Sequence, residues 1–241
     1  MRRLVGPVSK GFHRVEWDLR YARPAPTRID EAKESWQDSS SGMLALPGTY
    51  TVQISRYIDG KFAPLGEPQT FKTIPLNLQT LPARDVNKQF QFQKQVSSIL
   101  RAAMGLEKVV HDTEVRLKYV KQALLDTPEA SELLIAQTRA LERRLRDIAV
   151  ILLGDTTVSS RFEPTPPSLL DRINRASSGF WSTTEATATH RREHQIALEL
   201  FTDLRARMDS LLERDLTRLE EEMERIGAPW TPGRKIPVLK K

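Results

Sequence analysis

The sequence predicts an α+β chain, mostly helical, with a small β module ahead of a long antiparallel three-helix bundle. Two observations carry this. Before about Pro82 apolar residues alternate in twos, as in His13-Val15-Trp17-Leu19 and Tyr50-Val52-Ile54. After it they recur at spacings of four and three: Phe92, Val96, Ile99, Ala103, Leu106, Val110, Thr113, Leu117, Val120, Leu124. A period of two marks half-buried strands, and a sustained 4-3 repeat marks a helix packed along a partner. Three units follow: a β module over 1–78, a bundle over 79–227 and a basic Pro/Gly tail over 228–241.

In the β module, residues 12–20 send His13, Val15, Trp17 and Leu19 to one side and Arg14, Glu16, Asp18 and Arg20 to the other. The expectation is a strand with one buried face, anchored by Trp17. Residues 21–41 hold two prolines, Pro24 and Pro26, and a Ser-rich stretch, which predicts a long loop. A second strand is expected over 49–56 and a third over 69–74, with Asp59-Gly60 as a hairpin turn. Arg2-Arg3-Leu4-Val5 offers a short fourth. Four strands leave an open face and edge, so either the module is incomplete or a partner chain or the bundle covers it.

The first helix is expected from about Arg84 to Asp126. The second is expected to start at Thr127-Pro128, an N-cap followed by proline at the first helical position. Its seam is Leu134, Thr138, Leu141, Leu145, Ile148, Leu152, with Gly154 as the stop. A loop over 155–163 leads to a short helix introduced by Thr165-Pro166-Pro167, which continues the path of the second. The last long helix is expected to open at Ser182-Thr183-Thr184-Glu185, a capping-box pattern. Its seam runs Ala197, Phe201, Leu204, Met208, Leu211, then Leu212, Leu216, Leu219, Met223, Ile226.

Composition limits function. No apolar run approaches the ~20 residues that span a bilayer, and Met1–Pro7 lacks the apolar core of a signal peptide. With no cysteine there are no disulfides, thiolate metal sites or Cys nucleophiles. The net charge of +6 raises nucleic acid as a partner. Most Lys and Arg, however, alternate with Glu and Asp along the helices, as on a solvated bundle face. No recognised module accompanies the charge, so no specific nucleic-acid partner is expected.

Gly11-Phe12-His13-Arg14-Val15-Glu16-Trp17-Asp18-Leu19-Arg20, followed by Leu46-Pro47-Gly48-Thr49-Tyr50-Thr51-Val52, resembles a known family. It looks like the C-terminal immunoglobulin-like module of bacterial proteins with sortilin-type (BNR-repeat) β-propellers. It is also similar to the domain of flagellar hook-capping proteins in which a Trp-Asp strand precedes a Pro-Gly-Thr-Tyr strand. In the propeller family a long helical segment follows this module, the order seen here across nearly the whole chain. The resemblance implies an immunoglobulin-like fold for 1–78, a propeller before Met1 and a secreted or periplasmic parent. Family members are labelled glycosidase- or sialidase-like because of the propeller, and no propeller residue carries over. Arg2-Arg3-Leu4 matches the end of an early sandwich strand, which implies a chain that starts inside its domain.

The sharpest chemical pattern is His190-Arg191-Arg192-Glu193-His194. It matches H-x-x-E-H, in which two helical histidines hold zinc and a glutamate serves as base. Spacing of four places both imidazoles on one face. Extending the last seam backwards through 201, 197, 194 and 190 also puts both in register with the packing face, so a polar end to the seam is the competing reading. A catalytic zinc needs a third protein ligand, which the pattern does not supply. His13 reads as a half-buried packing residue and His111 as solvent-facing. Trp36, Trp181 and Trp230 lie in or near loops, as clamps or as platforms for sugar rings. No catalytic residue and no cofactor is assigned.

The functional expectation is a non-catalytic accessory region that packs against or oligomerises a larger propeller-type protein. The partners are that protein, the missing propeller or further copies of this chain. Two alternatives stand beside it: a glycan-acting hydrolase with a site at the β–helix junction, and an adaptor that binds a partner helix.

Overall fold

A computed structural model describes residues 2–27, 42–76, 83–178 and 184–237. Helix α1 (Val86–Leu125) is a rod of 40 residues, capped by Asp85, whose carboxylate accepts from Lys88 N at 3.0 Å. All ten seam positions named from its 4-3 repeat are buried, with Val96, Ala103 and Val120 fully so. Each such apolar side chain contributes about 1.5–3 kcal/mol by leaving water. The single stripe commits α1 to packing neighbours along its whole length.

Helix α2 (Glu132–Leu153) buries its six predicted seam residues and ends at Gly154, whose φ of 96° is open to glycine. It starts at Ser131, not at Thr127. The Thr127 hydroxyl turns back onto Ala123 O at 2.7 Å, and Ala130 N closes a turn on Thr127 O. Thr127 thus finishes α1, and Ser131, whose Oγ accepts from Leu134 N, begins α2.

The expected loop after Gly154 contains one turn, α3 (Thr156–Ser159), capped by Asp155. Helix α4 (Leu169–Ser177) follows, and Ser168 with Asp171 forms its capping box, downstream of the prolines expected to introduce it. Arg172 reaches Glu193, and Ser178 reaches His190. The numbers ascend on one helix and descend on the other, so α4 runs antiparallel to the last rod. It continues the downward path of α2.

The last rod comprises α5 (Ala188–Asp209), a π-helical turn (Ser210–Leu216) and α6 (Thr217–Arg225). It runs parallel to α1: Phe92 meets His194 at one end, and Arg116 pairs with Glu220 at the other. Thr187 caps it, five residues past Ser182, the cap expected from the pattern at 182–185; positions 182 and 183 lie outside the described residues. Buried seam positions run Ala197, Leu204, Met208, Leu211, then Leu216, Leu219, Met223. The step of five from Leu211 to Leu216 is too long for an α-helical seam. One surplus residue would rotate everything downstream by about 100°. The π turn absorbs it and returns Leu216 to the core, while Thr217 Oγ1 donates to Leu212 O at 3.0 Å.

The β module is less complete than its pattern suggests. Strand β1 (Gly48–Val52) pairs antiparallel with β4 (Gln69–Thr73), and β2 (Ser55–Ile58) with β3 (Lys61–Pro64). Together they form one long hairpin. Its tip is Asp59-Gly60, with φ of 50° and 75°, the paired left-handed conformation of a two-residue turn. Between the two ladders, Gln53 and Ile54 face the longer stretch Leu65–Pro68, a bulge.

Among the described residues, the strand expected over 12–20 does not form a ladder. One bridge, Arg20 to Leu44, is its sheet pairing, and Leu19 has a φ of 56°. Alternation supplied a face but no neighbouring strand. Trp17 is nonetheless an anchor: its ring meets Tyr50 at 5.2 Å and Phe71 at 6.0 Å, both edge-on. Among the described residues, 2–5 also form no strand.

The π turn gives a sharp expectation. Deleting Leu212 converts it to α-helix with every seam position still inward, so circular dichroism should show a melting midpoint within a few degrees of the parent. Deleting exposed Lys108 from α1 rotates the downstream seam and should cost more than about 4 kcal/mol. Equal damage from the two deletions would contradict this role for the turn.

Candidate functional site

The His190–His194 segment opens α5 at the base of the bundle, where α1 begins and α4 ends. Its three candidate ligands do different things. His190 occupies the third helical position: its N–H donates to Thr187 Oγ1 at 3.3 Å, and its Nδ1 accepts from Thr187 N at 3.2 Å. This is a reciprocal capping box with imidazole where glutamate is usual. Because Nδ1 accepts, Nε2 carries the proton and donates to Ser178 Oγ at 3.1 Å. Ser178 Oγ in turn donates to Arg175 O at 2.9 Å. Nδ1 of His190 thus caps α5, and Nε2 ties its start to the end of α4.

Glu193 turns to α4. Its Oε2 accepts from Arg172 Nη1 at 2.8 Å, and Oε1 lies 3.7 Å from Arg175. The carboxylate is largely buried between two guanidinium groups, a charge-assisted clamp. His194 turns inward and is only 8% exposed, with its ring edge-on to Phe92 at 5.6 Å. Its Nε2 is buried and has no hydrogen-bond partner among the described residues. Loss of water around it lowers the pKa below the ordinary histidine value. Among the described residues, no three His, Asp or Glu side chains converge as a metal-holding group.

The surroundings are packing and clamps. Gln89 Oε1 accepts from Ala186 N at 2.8 Å, which fixes the approach to α5. Arg191 stacks over Phe92 at 5.1 Å, and Phe90 meets Tyr21 of the β module at 5.6 Å. The β–helix junction is therefore aromatic where these groups meet. His13 is exposed rather than half-buried, and its Nε2 bonds Ser9 O at 2.7 Å. His111 faces solvent. Trp230 is half-exposed; Trp36 and Trp181 lie outside the described residues.

The opposite end carries a group that composition concealed. Arg234, read as part of a basic tail, has a side chain only 2% exposed. It donates to Glu224 at 2.6 Å and to Pro229 O at 2.8 Å. Arg116 grips Glu220 with two bonds of 2.8 and 2.6 Å and Gly233 O at 2.9 Å. The described part of the tail is folded back on α1 and α6. Two open grooves, of about 500 and 420 Å³, lie along the outer side of α2, lined by Glu132, Ile135, Arg139, Arg143, Arg146 and neighbours.

No family model matches this chain, and neither a curated protein nor a solved structure matches it. The clamp around Glu193 could not be found from sequence spacing, because Arg172 and Arg175 reach it from another helix.

His194 fixes the sign of a pH effect. Its pKa is lower folded than unfolded, so the folded state binds fewer protons in acid. Its contribution is fully present above the unfolded value of about 6.5 and is lost as pH falls through the lowered folded value. His194→Leu should flatten the pH dependence of the urea midpoint in that window and leave the midpoint at pH 7.5 equal or higher. Removing the orphaned nitrogen has no hydrogen bond to lose. Unchanged pH dependence in the variant would refute the assignment.

Thr187→Ala should cost about 1 kcal/mol. His190→Ala added to it should cost about 1 kcal/mol more, because each bond of the box ends on a backbone N–H that alanine retains and the imidazole also gives up Ser178. Excess zinc should leave the parent's melting midpoint unmoved; a rise abolished by His190→Ala and His194→Leu would restore the metal reading.

Proposed function

We propose that this chain is a non-catalytic accessory region whose β module is completed by a protein partner and whose bundle is the rigid arm holding that module in place. One contrast carries the reading. The bundle buries its apolar seams fully, with Leu152, Leu204 and Leu211 at 0% exposure. The β module leaves Ile54 66%, Tyr57 63% and Ile74 74% exposed, and Phe12 stands wholly in water. Scattered exposed apolar residues are ordinary, but a whole module of them marks an interaction surface. A two-stranded hairpin is marginal alone and needs further strands or a packed face.

The family resemblance supplies the identity of the partner within this proposal. An immunoglobulin-like sandwich would use Trp17, Tyr50 and Phe71 as half of its core. The parent's β-propeller, or another copy of the region, would stand against the open side. The titratable groups at the base of the bundle support a structural role, since His190 and Glu193 are held in a cap and a clamp.

The adaptor reading has one observation in its favour. Arg139, Arg143 and Arg146 flank the grooves on α2 and make no ion pair within 4.0 Å among the described residues, whereas Arg144, beside them in the second groove, pairs with Asp215. An acidic helix would fit there.

A photo-crosslinking side chain at Ile54 or Phe62, in cells that express the full chain, tests the first reading against the second. Crosslinks to one discrete protein species at these positions, and none at Arg139, are expected. Crosslinks confined to Arg139 would favour the adaptor, and none anywhere would remove the interaction role.

A further inference from the structure

The two outer edges of the hairpin differ in a way that selects a partner. The β3–β4 edge is guarded: Lys61, Pro64, Glu67, Pro68 and Lys72 interrupt it with charge and with residues lacking an N–H. Natural edges carry such features to prevent pairing. The β1 edge carries none, and from Gly48 to Ser55 the chain reads Gly-Thr-Tyr-Thr-Val-Gln-Ile-Ser, without charge or proline. High β-propensity and no charge are the mark of a segment that pairs with others.

The outward backbone groups on that edge can be named. Gly48 N points at Thr73 Oγ1 at 3.1 Å, and Ile54 O accepts from Leu65 N at 2.8 Å, so the even-numbered residues face the hairpin's other arm. Alternation turns the N–H and C=O groups of Thr49, Thr51 and Gln53 outward. Among the described residues, no backbone group pairs with them on that side.

We propose that this edge pairs antiparallel with the same edge of a second copy of the chain, about a two-fold axis through Thr51. The pairing rests on the reading of the β module as an interaction surface. In this register Thr51 meets its own copy, and Thr49 meets Gln53, which joins outward groups to outward groups. Tyr50 lies opposite Val52, an aromatic–β-branched pair of the kind that stabilises sheets. The one nearby charge, Arg56, falls opposite Leu46 rather than its own copy, so no like charges are set face to face. An isologous interface must be self-complementary in this way. The product is a four-stranded sheet, which exceeds the two-stranded limit of marginal stability. Insertion into a lipid surface is disfavoured, because the open N–H and C=O groups would find no partner in hydrocarbon.

The absence of native cysteine makes the test direct. Directly opposed residues in a hydrogen-bonded antiparallel pair have Cα atoms about 5.5 Å apart, within disulfide reach. In the full chain, Thr51→Cys should form a covalent dimer under mild oxidation. Thr70→Cys, which lies opposite Thr51 across the hairpin and faces the guarded edge, should stay monomeric. Sedimentation of the parent should show a monomer–dimer equilibrium that Thr51→Pro abolishes while the helical circular dichroism is retained.

A parent that is monomeric at every concentration overturns the proposal. So does a dimer that survives Thr51→Pro, or equal crosslinking at both cysteines. If Thr51→Cys fails to join its copy while a crosslinker at Ile54 captures a different protein, the self-pairing falls and the interaction role stands.

Discussion

The apolar stripe of α1 is the constraint on which the rest of the structure depends. Its 40 residues present buried side chains from Phe92 to Leu124 at alternating steps of four and three, and α2, α4 and the last rod all lie against it. A stripe of that length tolerates no phase error in its neighbours, because one surplus residue swings the following side chains by about 100°. The π turn at Ser210–Leu216 is the local consequence. Backbone hydrogen bonding is altered over seven residues so that Leu216, Leu219 and Met223 still reach the core. Polar clamps then fix the ends: Arg172 and Arg175 on Glu193 at the base, and Arg116 and Arg234 on Glu220 and Glu224 at the top.

Where structure depends on local period, the sequence was legible. The seams of α1 and α2, the stop at Gly154 and the turn at Asp59-Gly60 follow from spacing and from residues suited to one conformation. The doubled Leu211-Leu212 in the last seam already contained the phase error, although its remedy in the backbone was not visible. Cap positions were harder, because several Ser and Thr residues cluster before each helix. Tertiary contacts decide which hydroxyl turns forward, as with Thr127 bonding back to Ala123 and leaving the cap to Ser131. The alternating run at 12–20 misled for a different reason. Alternation reports a two-sided segment, and a strand also requires a neighbour.

The candidate site shows the same division. Spacing of four put the imidazoles of His190 and His194 on one face of a helix, with Glu193 between them in sequence. Their roles came from groups remote in sequence: Ser178, Arg172 and Arg175 on α4, and Phe92 on α1. A motif read on one helix says nothing of which partner arrives first. The burial of Arg234 is another case, since a basic residue in a Pro/Gly tail carries no local sign that it will plug the end of a bundle.

The two halves therefore stand in unequal condition. The bundle closes on itself, while among the described residues the hairpin leaves its outer edges and much of its apolar surface unpaired. Hydrogen exchange of the full chain at high dilution measures this inequality most directly. Amides of the buried seams in α1, α2 and α5 should exchange only through global unfolding, while those of 48–73 exchange through local opening of small free energy. Protection of the hairpin equal to that of the bundle, in a chain diluted to the monomer, would contradict the claim that the β module depends on a partner.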